Sequence, residues 1–168
     1  HIHNQETIGK IMGSVIIALI PALIGSIWLF GLYALKIVLV SIVSCLLSEL
    51  LSQIIFKKKI RILDGSAVVT GILFAFVLPP RIPLWIVALG GFFAIFLIKE
   101  IFGGIGFNIF NPALASRAIL LASFPAFMTQ WPKPFDYSID AITSATPLAI
   151  IKENLLLPLP SLSQMFIG

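Results

Sequence analysis

Within seven residues, at Asp140-Ala-Ile-Thr143-Ser144-Ala145-Thr146, the chain sets one carboxylate and three hydroxyl groups, and the last hydroxyl stands directly against Pro147. Each of Thr143, Ser144 and Thr146 offers an oxygen that can be esterified. Only Thr146 has further local logic. A residue before proline is held in the extended region, and proline suits the first turn of a helix. Thr146 is therefore expected to cap a short helix over Pro147 to Leu155. Its hydroxyl would sit at the positive end of that helix dipole, where an anion is favoured.

Similar devices recur elsewhere. Asn111-Pro112-Ala113 predicts a helix with asparagine as cap and proline at its first position. An NPA of this kind also occurs in aquaporin half-helices, but those channels need two such motifs and this chain has one. Asp64-Gly-Ser-Ala predicts another helix start, capped by Asp64 or Ser66, with a ligand-facing N-terminus as the sharper reading.

Three other polar positions lie in apolar surroundings. Glu49 is expected to reach toward the membrane edge and pair with one of the lysines at 57–59, with an ion-pathway role as the alternative. Arg117 reads as an inward ion-pair partner or an anion contact. Cys45, the lone cysteine, reads as a small buried apolar residue. GGIGFN lacks the third glycine, the preceding strand and the following acid of a dinucleotide fingerprint. No Ser/His/Asp or Cys/His arrangement and no metal-ligand spacing is visible, so neither catalytic residues nor a metal site are assigned.

The elements that must carry these groups are those of a membrane. The chain is 59% hydrophobic and 11% charged, with a mean hydropathy of +1.09, outside the range of soluble domains. Its apolar runs are continuous rather than alternating, which excludes a β-barrel. The expected fold is an all-α integral membrane protein with about five transmembrane helices, near 11–30, 35–56, 67–78, 84–98 and 112–127. The third is short enough to be a tilted span or a half-helix. Residues 1–128 form this bundle; 129–168 are polar and turn-rich and form an extramembrane loop with a short helix.

The net charge of +4 does not indicate nucleic acid, since no basic patch is interleaved with aromatics. The tight cluster at Lys57 to Arg61 instead acts as a topology signal beside membrane lipid. With Lys10, Lys57, Lys58, Lys59, Arg61 and Lys99 on the cytoplasmic side, five crossings put Thr146 outside. The chain opens on His1 with no signal-peptide pattern and reads as one part of a longer polypeptide.

LDGSAVVTGILFAFVLPP, FGGIGFNIFNPALASRAILLASFP and DAITSATPLA, in this order, closely resemble the RnfD family of electron-transport membrane subunits. The B subunits of sodium-pumping NADH:quinone reductases (NqrB) are near relatives. HIHNQETIGKIM extends the likeness over nearly the whole chain. The resemblance implies FMN carried on a threonine by a phosphoester bond, installed from FAD by a flavin transferase at Asp-x-x-Ser/Thr-Gly-Ala-Thr. That pattern falls on Asp140, Thr143, Ser144, Ala145 and Thr146, with Ser144 in place of the usual glycine. It further implies a chain of two related halves with a urea-transporter-like inverted repeat, of which this is the first half. A second flavin is compatible with the full-length protein. The FMN would relay single electrons between the other Rnf subunits, coupling ferredoxin–NAD oxidoreduction to Na⁺ or H⁺ transport across a bacterial inner membrane. Rnf is favoured over Nqr by the short N-terminus. The alternative is a flavin-free transporter or channel half-domain, and the chain by itself carries no complete redox route.

Overall fold

The computed structural model describes residues 7–58, 64–132 and 134–135, and no strand occurs among them. Two long helices come first: α1 (Ile8–Phe30) and α2 (Leu32–Ile55). At 23 and 24 residues, each rises about 35 Å at 1.5 Å per residue, enough to cross a bilayer. Both begin three residues before the expected starts at Ile11 and Leu35. Gly31, at φ 76°, makes the turn between them. Pro21 sits inside α1 without ending it.

The third apolar segment holds α3 (Ser66–Phe76), only 11 residues long, which rises about 16 Å, roughly half of a hydrocarbon core. Its start is built by the DGS turn. Gly65 is the N-cap residue at φ 78°, a left-handed conformation that disfavours any Cβ. That geometry lets Asp64 Oδ1 accept from the Ser66 backbone N–H at 2.9 Å. Of the two expected caps, Asp64 therefore does the capping, and Ser66 is the first helical residue.

The fourth segment is α4 (Leu84–Phe92), which runs on without a break as a π-helix over Phe93–Glu100. After the 103–106 glycine turn comes α5 (Pro112–Ser123), then the single turn α6 (Pro125–Met128). The expected cap at Asn111 is in place: its side chain accepts from Ala113 N at 3.0 Å and Leu114 N at 3.4 Å.

Helices approach closely where small residues let them. A Cβ on Gly71 of α3 would lie 2.8 Å from the Ile42 Cα of α2, and beside it Ser41 Oγ donates to the Gly71 carbonyl at 2.7 Å. Ser44 Oγ donates to Ala88 O at 2.5 Å, and Ser116 Oγ to Gly90 O at 2.6 Å. Serine-to-carbonyl bonds over small residues are how apolar helices hold together without a hydrophobic driving force between them. The main core gathers around Phe74, Ile86, Val87 and Leu120, all fully buried.

Long-range contacts fix the direction of each element. At one end, Tyr33 OH donates to Ile82 O at 3.2 Å, and Phe135 N donates to Leu29 O at 2.8 Å. At the other, Lys58 meets Glu100. The chain thus leaves α6 and reaches Phe135 at the Leu29 end, opposite Lys58. Trp28 and Phe135 meet edge to face there, ring centroids 5.4 Å apart.

Candidate functional site

Asp140, Thr143, Ser144, Ala145 and Thr146, with the helix expected after them, lie outside the described residues. Within the described residues the polar chemistry collects at the Lys58 end, among the termini of α2, α3 and the π-helix.

Lys99 is the hub. Its ammonium donates to Glu49 Oε1 and, at 2.6 Å, to Ser66 Oγ. Ser66 Oγ in turn donates to Asp64 Oδ1 at 2.7 Å. The relay runs Glu49–Lys99–Ser66–Asp64 and joins three separate segments. Lys99 is 2% exposed and Glu49 1%, so this ion pair is cut off from water. Such a pair lasts only when both charges are present and hydrogen-bonded. Glu49 Oε1 and Ser66 Oγ satisfy Lys99, but Glu49 Oε2 has no hydrogen-bond partner among the described residues.

Of the lysines at 57–59 expected to pair with Glu49, Lys59 lies outside the described residues, and the two described ones do not take it. Lys57 and Lys58 stand eight and nine residues after Glu49, about 12–14 Å along a helix axis, past the end of α2 at Ile55. Lys58 instead donates to Glu100 twice, to Oε2 at 2.9 Å and to the backbone carbonyl at 2.8 Å. Lys99, read from sequence only as an edge charge, takes Glu49. The π-helix makes this possible. Its wider turn brings Ile98, Lys99 and Glu100 all into buried positions, and π segments are often found at functional sites.

A cavity of about 590 Å³ lies beside the relay. It is lined by Glu49, Asp64, Lys99, Glu100 and Lys58, with Phe107 from the turn before α5. Cys45, one turn from Glu49 on α2, is fully buried against Ala67 and Ile95, as a small apolar residue would be. Arg117 is half-buried on α5 and takes part in neither ion pair seen among the described residues. Its Nε is buried with no hydrogen-bond partner there.

Over residues 1–168, the sequence matches the NQR2, RnfD, RnfE family. The chain belongs to that family. It is 45% identical over all 168 residues to the D subunit of the Na⁺-translocating ferredoxin:NAD⁺ oxidoreductase complex of Acetobacterium woodii, covering 52% of that protein. It is 43% identical over 152 residues to the D subunit of the proton-translocating ferredoxin:NAD⁺ oxidoreductase complex of Clostridium ljungdahlii, 90% of this chain and 46% of that one. The D subunit of an Escherichia coli ion-translocating oxidoreductase complex is 39% identical over 140 residues, 82% of this chain and 40% of its own length. The chain thus spans about half the length of the curated relatives it matches.

Proposed function

We propose that this chain is part of a membrane subunit of an ion-translocating ferredoxin:NAD⁺ oxidoreductase, carrying covalent FMN as a one-electron relay. The observation that carries the reading is the match, over all of the chain and over 90% of it, to two relatives named as the D subunit of such a complex. It weighs against the flavin-free transporter or channel. The partners are then the other subunits of the complex, membrane lipid and, for maturation, a flavin transferase.

Thr146 is the attachment residue in this reading, holding the FMN phosphate through Oγ1, with Asp140, Thr143, Ser144 and Ala145 as the sequence the transferase recognises. Bound there, a flavin supplies one-electron chemistry. The chain's own contribution is to present the segment at a defined end. Phe135 is tied to Leu29 and Trp28, and Trp131 lines a small hollow with Phe30 and Pro80 at that same end. Flat aromatic surfaces there suit an isoalloxazine ring. Basic residues favour the cytoplasm, so the Lys58 end would face inward and Thr146 outward across a bacterial inner membrane. In this arrangement five segments cross, and the chain forms one half of a urea-transporter-like repeat.

Deleting the whole protein tests the reading. Membranes from the deletion strain are expected to lose ferredoxin-dependent NAD⁺ reduction and the ion uptake it drives, and the full-length protein is expected to restore both. Unchanged activity in the deletion strain would reject it.

A further inference from the structure

A groove of about 460 Å³ runs along the outside of α2, beside α4. Leu39, Val43, Leu47 and Leu51 form its rim, one per turn of α2 and each between 46% and 61% exposed. Its floor holds smaller residues, Ser44, Ser48 and Ala88. The two helices come so close here that a Cβ on Gly91 would lie 2.7 Å from Ser44 Oγ. Both floor hydroxyls are spent inside the protein: Ser44 Oγ donates to Ala88 O at 2.5 Å, and Ser48 Oγ to Ser44 O at 2.7 Å. The groove therefore offers hydrocarbon to whatever fills it.

Its length and its lower end narrow the choice of occupant. From Leu39 to Leu51 the rim covers about 18 Å at helical rise, a little over half of a roughly 30 Å hydrocarbon core and so the depth of one leaflet. The six residues on to Lys57 add about 9 Å, near the thickness of one headgroup layer. Apolar surface is continuous between the two. Phe92, which lines the groove, stacks on Phe96 with centroids 5.0 Å apart, and Phe96 meets Phe56 at 5.7 Å. Lys58 Nζ in turn lies 5.3 Å from the Phe56 ring centroid. The charge of Lys58 is matched by Glu100. Lys57 is exposed just past the end of α2, and Lys59 and Arg61 follow it in the sequence. Basic clusters of this kind, set directly after a spanning helix, attract anionic lipid headgroups.

We propose that this groove seats one acyl chain of an anionic phospholipid, whose phosphate is held at the end of α2 by Lys57. The chain lies between the rim of α2 and Phe92 of α4, and the headgroup reaches the cationic end that the aromatic row leads to. A helix from another protein segment fits the groove less well. Apolar helices dock through small residues and polar cross-bonds, whereas here the small residues lie at the floor with their hydroxyls already used, and the rim is leucine and valine. A branched apolar rim with one charged end is the complement of a lipid.

The seat rests on the membrane part of the proposed function and not on flavin or ion transport. It is tested with the full-length protein in phosphatidylcholine nanodiscs that contain a small fraction of a photoreactive lipid, its diazirine midway along one acyl chain. After illumination, labelled peptides are located by mass spectrometry, and label on 39–51 is read against label at the exposed Ile17 and Ile24 of α1. Photoreactive phosphatidylglycerol is expected to label 39–51 about tenfold more than photoreactive phosphatidylcholine does, the preference that one to two surface cations give an anionic headgroup. Leu47→Trp, which fills the groove, is expected to remove that excess. Lys57→Gln is expected to reduce the excess severalfold while leaving the phosphatidylcholine signal unchanged. Equal labelling by the two lipids, or an excess that survives both variants, overturns the proposal. So does an absence of label on 39–51 from either lipid, which would mean that another protein segment covers the groove. If Leu47→Trp does not fold, the wild-type protein and Lys57→Gln decide. Selective labelling of a protein that carries no flavin and drives no ion uptake would leave the seat standing and reject the electron-transport reading instead.

Discussion

Glu49 and Lys99, fifty residues apart in sequence, meet as an ion pair almost wholly removed from solvent. The pair ties α2 to the end of the π-helix and, through Ser66, to the start of α3. Three helices are thereby held in register at this end.

Removing one partner strands the other charge. Lys99→Met or Glu49→Gln is expected to destabilise the full-length protein by about 3–5 kcal/mol. The double variant Glu49→Leu/Lys99→Met is expected to recover most of that loss, because a well-packed apolar pair substitutes for a buried ion pair. Denaturant unfolding in detergent measures all three. A double variant as unstable as the sum of the singles would show that the pair does not act as a unit.

Close helix contact sets a second expectation. A Cβ at Gly71 would meet the Ile42 backbone at 2.8 Å, whereas one at Gly13 on α1 would meet nothing within 4 Å. Gly71→Val is therefore expected to cost about 1–3 kcal/mol through overpacking, and Gly13→Ala to change stability by less than about 1 kcal/mol. Thermal unfolding of the two variants compares them directly. Equal effects would contradict the packing of α2 on α3.

Most of the architecture is legible in the sequence because composition and punctuation carry it. Continuous apolar runs mark α1 and α2, Asn111-Pro112 marks the start of α5 by a mechanism that holds locally, and DGS marks the start of α3. The partner of Glu49 is not legible. Hydrophobic patterning does not distinguish a π-turn from an α-turn over Phe93–Glu100, and that difference brings Lys99 inward. Proximity along the chain favours the lysines at 57–59, yet the described ones, Lys57 and Lys58, lie beyond the end of α2. One signal does point to the answer: Lys99 and Glu100 adjoin an apolar run, and each buried charge requires a partner. For Thr146 the sequence pattern is the argument, since its segment lies outside the described residues.

The proposed sidedness puts the Lys58 end inside and the Thr146 segment outside. With single cysteines placed at Lys58 and at Ser138 and Cys45 replaced by serine, a membrane-impermeant thiol reagent applied to intact cells is expected to label only the Ser138 position. Labelling of the Lys58 position alone, or of both equally, would contradict the proposed sidedness.

Ser144 stands where the attachment pattern usually has glycine, and a Cβ narrows the backbone conformations that a transferase can accept. Ser144→Gly is expected to raise the initial rate of flavin attachment on coexpression with the transferase, read as in-gel fluorescence over time. A slower rate would mean that the serine hydroxyl contributes to recognition.

The proposed covalent flavin would show in the mass of one peptide. The full-length protein, matured with its flavin transferase, is digested, and the peptide that contains Thr146 is sequenced by mass spectrometry. The account predicts FMN in phosphoester linkage on the Thr146 side chain. It also predicts loss of ultraviolet fluorescence from a denaturing gel in Thr146→Ala, while Thr143→Ala and Ser144→Ala keep at least part of it. An unmodified Thr146 in the matured protein, or a Thr146→Ala variant that still fluoresces after denaturation, would contradict it.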